Sequence, residues 1–199
     1  MTDPKVDSIL DEANRLFLHG KLQEAITYYD KILKDNPNHL GCLNNKGYAL
    51  SKLKDYDSAL QCYDAALKLD SKDIPVLVNK ISSLRKKGNL PEAVSLCDKI
   101  LEHNPNYNIA LYHKERILLS MKKFQDSILC CDKILEDYPN NGDVLFDKAC
   151  NLIMLSQIEE ALDNLKNSIC QGNQYKIKAK KSKFFENLTN NPKYQSLIS

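Results

Sequence analysis

No stretch of this 199-residue chain approaches the ~18 consecutive apolar residues that a membrane-crossing helix requires. The N-terminus, MTDPKVDSIL, lacks the basic start, apolar core and cleavage site of an export signal, so a cytoplasmic location is expected. Glycine and proline are sparse, six and seven residues, beside 43% hydrophobic and 27% charged residues, which excludes a disordered or low-complexity tract and implies a folded, soluble chain. The seven cysteines form no C-x-x-C pair, and the four histidines have neither i, i+4 partners nor cysteines at zinc spacing, so no metal site is expected. There is no Gly-rich phosphate loop and no G-x-S-x-G, and adjacent carboxylates such as Asp11 and Glu12 diverge on a helix; neither catalysis nor a cofactor is expected.

What the chain does contain is a period. Leu22, Ala25, Tyr29 and Pro37 are followed 34 residues later by Tyr56, Ala59, Tyr63 and Ser71, then by Leu90, Ala93, Cys97 and Pro105, then by Phe124, Ser127, Cys131 and Pro139. Within each repeat the apolar residues fall in two bursts at helical spacing, such as Leu43, Gly47 and Leu50, then Tyr56, Ala59, Leu60, Tyr63 and Leu67. Short polar turns separate the bursts, two of them with glycine (Gly20, Gly88) as a stop signal. Proline turns, DNPN at Asp35, HNPN at His103 and DYPN at Asp137, separate most repeats. Cys97 and Cys131 stand where Tyr29 and Tyr63 do, which reads as core packing rather than thiol chemistry.

Small residues, an aromatic on the second helix and a closing proline at this period resemble the tetratricopeptide repeat. The resemblance implies an all-α fold: a right-handed superhelical solenoid of five antiparallel helix pairs with a C-terminal capping segment. Counting from the alanines places a leader at 1–5, repeats at 6–39, 40–73, 74–107, 108–141 and 142–175, and a basic helical cap at 176–199. In the cap, Phe184, Phe185, Leu188, Tyr194, Leu197 and Ile198 are expected to cover the fifth repeat, with Asn191 and Pro192 opening a last helix. Where the pattern has Gly or Ala early in the first helix, this chain has Ala13, Gly47 and Ala149 but also Ile81 and Glu115; Glu115 is expected to snorkel to water beside Lys114 or Arg116.

A charge pattern rides on the period. Asp30, Asp64, Asp98 and Asp132 each precede by 16 residues Lys46, Lys80, Lys114 and Lys148, and every midpoint falls in an inter-repeat turn. Residues equidistant from the turn of an antiparallel hairpin face each other, so four Asp–Lys pairs are expected between successive repeats.

The family likeness also implies a non-catalytic scaffold that binds a protein or peptide through the concave groove lined by first helices. Carried over position by position, the partner-binding residues are Asn14, Phe17, Asn44, Tyr48, Arg85, Tyr112, Arg116, Leu119, Phe146 and Ile153. They suggest an acidic or C-terminal carboxylate held by arginine beside an apolar anchor. Members that clasp acidic chaperone tails use lysine and arginine at places held here by Leu10, Pro75 and Asn79, with Asn14 and Asn45 alone retained, so that carboxylate clamp is not expected. Two alternatives stand beside this reading. The five lysines of YKIKAKKSK could contact nucleic acid or another polyanion, though no arginine accompanies them; and the apolar groove end of one chain could receive the tail of another, giving a homo-oligomer.

Overall fold

The computed structural model describes residues 4–199, with side chains from residue 6 onward, so the first three residues of the expected leader lie outside the described residues. The chain divides into two compact bodies, Met1–Leu96 and Cys97–Ser199. Helices α1 (Pro4–Leu18), α2 (Leu22–Asp35), α3 (Leu40–Lys52), α4 (Tyr56–Leu69) and α5 (Ile74–Lys87) belong to the first, and the boundary falls within α6 (Leu90–His103). The second holds α7 (Asn108–Ser120), α8 (Phe124–Asp137), α9 (Gly142–Met154), α10 (Ile158–Gln171), α11 (Asn173–Lys181), a 3-10 segment (Lys183–Leu188) and α12 (Pro192–Ile198). Every element among the described residues is helical, and successive helices form antiparallel pairs.

Local chemistry sets the helix ends. Asp73 accepts from the Val76 amide at 2.9 Å to start α5, with Pro75 in its first turn, and Asp55 does the same for α4 through Ser58 at 3.2 Å. Inside each pair one residue turns left-handed: Gly20, Lys54, Gly88, Lys122 and Ser156, one per repeat and 34 residues apart. The amide that follows donates back to the carbonyl five residues earlier, as in Lys21 to Leu16 and Gln157 to Leu152, both 2.9 Å. This closes the helix end, and the repeat keeps the geometry even where lysine or serine replaces glycine.

The small residues of the period are contact points. Ala25, Ala59, Ala93 and Ala161 are fully buried, and a methyl group placed on Gly47 would stand 2.7 Å from the Tyr63 ring. Six cysteines are buried and Cys170 is exposed; burial lifts the thiols of Cys42 and Cys130 to about 11 and of Cys97 to about 12, which keeps them protonated and inert.

All four expected ion pairs form: Lys46 meets Asp30 at 2.5 Å, Lys80 meets Asp64 at 2.7 Å, Lys114 meets Asp98 at 2.6 Å and Lys148 meets Asp132 at 2.7 Å. Lys80 and Lys148 also reach Glu92 and Glu160, at 3.2 and 3.5 Å.

The C-terminal segment folds against α9 and α10. Phe146, Tyr175, Ala179, Phe185, Leu188 and Tyr194 make one buried cluster, with the Phe185 and Tyr194 rings stacked at 5.7 Å. Asn191 caps α12 by accepting from the amides of Lys193 and Tyr194 at 3.0 and 3.1 Å.

Candidate functional site

In the N-terminal body, α1, α3 and α5 carry Asn14, Phe17, Asn44, Tyr48 and Arg85. Asn14 Oδ1 accepts from the Tyr29 hydroxyl at 2.8 Å and from Asn45 Nδ2 at 3.1 Å, while Asn44 Oδ1 accepts from Asn79 Nδ2 at 2.9 Å. Burial pushes the Tyr29 phenol up to about 12, so it stays a donor and holds Asn14 in place. The Phe17 and Tyr48 rings lie 5.4 Å apart, Lys52 sits 5.2 Å over the Tyr48 ring, and Leu18 beside them is 82% exposed. Together with Asn14, Tyr29 and Asn45, these apolar side chains line a cavity of about 190 Å³. Arg85 is half-buried, bonds none of the others, and its Nε is buried without an acceptor. Thus Asn14, Phe17 and Tyr48 come together, while Asn44 and Arg85 stand on their own contacts.

In the C-terminal body, Arg116 Nη1 donates to the Tyr112 hydroxyl at 2.7 Å with its guanidinium 5.3 Å from that ring. Leu119 is half-buried, and it shares with Arg116 a cavity of about 410 Å³ that is also lined by Phe146, Asp147, Cys150, Lys178, Lys181, Ser182 and Phe184. Phe146 requires a correction. Expected as an apolar anchor for a partner, it is only 2% exposed, because Tyr175 and Phe185 of the chain's own C-terminal segment pack on its ring at 6.3 and 5.7 Å. Ile153 is likewise partly covered by that cluster.

Glu115 requires a second correction, since it does not snorkel to water but is fully buried. Ser127 Oγ donates to the Glu115 carbonyl at 3.0 Å and lies 3.3 Å from Glu115 Oε1, and Asn151 Nδ2 donates to Ser127 Oγ at 3.0 Å. Asp147, 5% exposed, completes the cluster; Arg116 Nε and Lys178 Nζ each stand 3.8 Å from its carboxylate. Glu115 Oε2, Asp147 Oδ2 and Asn151 Oδ1 are buried acceptors without a donor. Burial, and then the nearby Asp147, push the Glu115 carboxyl up to about 8, so it holds a proton at neutral pH. Burial raises the Asp147 carboxyl as well, and the facing Arg116 and Lys178 oppose that rise.

The sequence reading did not single out Asp147, Lys178, Lys181 or Phe184 as sharing a cavity. One available signal was that two departures, Glu115 for a small residue and Ser127 for alanine, occur in the same repeat. A carboxyl and a hydroxyl replace two methyl-sized groups at facing positions. Among the described residues no helix is long and apolar enough to cross a membrane.

Residues 5–128 match the family described as Tetratricopeptide repeat protein 21 N-terminal ARM repeat. No match was found among curated proteins. Among solved structures, a tetratricopeptide repeat protein from Parabacteroides merdae superposes with a TM-score of 0.85 at 18% identity, over 98% of this chain and 78% of that one. MamA from Desulfovibrio magneticus gives 0.80 at 17% identity over 87% and 98% of the two chains. YrrB, described as a TPR protein with an unusual peptide-binding site, gives 0.72 at 19% identity over 87% and 91%. At these identities the likeness is one of fold.

Proposed function

Because the chain belongs to the tetratricopeptide repeat family, we propose that it is a non-catalytic interaction scaffold whose first helices bind a partner protein or peptide. The observation that carries this reading is the arrangement around Tyr48. A 38%-exposed tyrosine packs on Phe17 beside the exposed Leu18, above amides fixed by mutual hydrogen bonds. Apolar surface of this kind, next to amides whose orientation is already set, suits a peptide that buries a side chain and presents its backbone to the amides. Arg85, half-buried and without an ion pair among the described residues, adds a cation for a ligand carbonyl or carboxylate. YrrB, of the same fold, has a peptide-binding site.

Affinity capture tests the reading. Tyr48→Ala and Arg85→Ala leave the buried alanine contacts untouched, so helicity should be retained. Each should weaken a captured partner by about 1–3 kcal/mol, the range of aromatic and arginine anchors. Partners retained at full affinity by both folded variants would move the binding surface elsewhere on the molecule.

Of the five lysines in YKIKAKKSK one is engaged within the chain, and so is Lys193 farther along the tail. Lys193 pairs with Glu159, and Lys178 lies between Asp143 and Asp147.

A further inference from the structure

The 410 Å³ cavity in the C-terminal body is built from two sources: the first helices α7 and α9 on one side, and the turn from α11 into the 3-10 segment on the other. Its cations outnumber what they can pair with. Arg116 and Lys178 share Asp147 at 3.8 Å, longer than a hydrogen bond, and Lys178 is also 3.8 Å from Asp143. Lys181 is exposed, and among the described residues its side chain makes no ion pair or hydrogen bond. At the floor, Asp147 is 95% buried by its 5% exposure, and its Oδ2 has no donor. Leu119 and Phe184 supply half-exposed apolar wall.

We propose that this cavity recognises an acidic peptide segment with a neighbouring apolar side chain. The peptide carboxylate sits against Arg116 and Lys181, and the neighbouring apolar side chain lies on Leu119 and Phe184. Each part answers a deficit already present. The carboxylate supplies the counter-charge that Lys181 lacks, and the apolar group covers exposed wall. A phosphate backbone would meet the charge but would leave the apolar wall of Leu119 and Phe184 uncovered. The C-terminal segment is then part of a binding site as well as a cover for Phe146. This deepens the scaffold reading and rests on it, because α7 and α9 are first helices of their repeats.

The test selects random dodecapeptides displayed against the full chain and measures the enriched peptides by fluorescence anisotropy. Lys181→Glu is the main variant, because among the described residues the Lys181 side chain makes no ion pair or hydrogen bond; Arg116→Ala, checked first for helicity, is the second. The expected result is enrichment of Asp or Glu beside an apolar residue, about tenfold weaker binding to Lys181→Glu, and recovery on that variant when the peptide acid is replaced by lysine. Peptides insensitive to both changes but lost on Tyr48→Ala would overturn the cavity and leave the scaffold reading intact. No enriched peptide at all, with a Tyr48-dependent protein partner still captured, would have the same meaning. If a single-stranded oligonucleotide binds instead and is lost on Lys181→Glu, the anion is a phosphate and the peptide proposal fails. Peptides insensitive to every one of these variants would sink both.

Discussion

Glu115 is where a single residue departs furthest from its repeat, and its burial changes how the protein should respond to pH. In the folded chain its carboxyl holds a proton up to about 8, against an ordinary value near 4.5. Between those two values the folded state keeps a proton that the unfolded state has already released, so rising pH favours unfolding across that window. The groups facing it are Asp147 and Lys178 from neighbouring helices and Arg116 from its own, with the buried Cys130 and Cys131 thiols on α8. Glu115→Gln keeps the shape and removes the titration. The variant should match wild type at about pH 5 and exceed it by about 1–3 kcal/mol at about pH 8.5, where the native carboxylate would be ionised with a buried oxygen unpaired. Urea titrations at the two pH values read the gap directly. A gap that does not change with pH would mean the carboxyl is ionised throughout.

At the scale of helices, the sequence was legible wherever one repeat constrains the next by a rule that does not vary. The Asp–Lys ladder is the clearest case, since hairpin symmetry alone placed four cations on four carboxylates. The left-handed residue closing each pair was half legible: Gly20 and Gly88 announce it, whereas Lys54, Lys122 and Ser156 adopt the same conformation because the repeat geometry imposes it. Glu115 and Phe146 were misread for a shared reason. Each is judged by its own helix position, but its environment comes from side chains on other elements, Ser127 and Asn151 for one and Phe185 for the other. The ladder's worth is measurable at Lys148, which is 15% exposed and reaches both Asp132 and Glu160. A double-mutant cycle of Lys148→Met with Asp132→Asn should return a coupling of about 0.5–1 kcal/mol, falling with added salt. A coupling indistinguishable from zero would reduce the ladder to a marker of register.

For the whole molecule, the repeat logic implies that each helix pair is stable only while its neighbours cover it, and that an array needs a terminal element with one apolar face and one wet face. The segment after α10 has that character. Phe185 and Tyr194 are buried at 1% and 2% exposure, while Lys180, Lys181 and Lys183 face water. Stability and the proposed recognition therefore share this stretch, and its contribution to stability can be measured by substitution. Phe185→Ala removes a ring packed on Phe146 and Tyr194 and should cost about 3–5 kcal/mol, raising hydrogen exchange in α9 and α10. Lys193→Ala, which breaks only the exposed pair with Glu159, should change stability by less than about 1 kcal/mol. If Phe185→Ala leaves exchange in α9 and α10 at wild-type rates, the segment is not what holds the last helix pair, and Phe146 would have to be covered by something other than this packing.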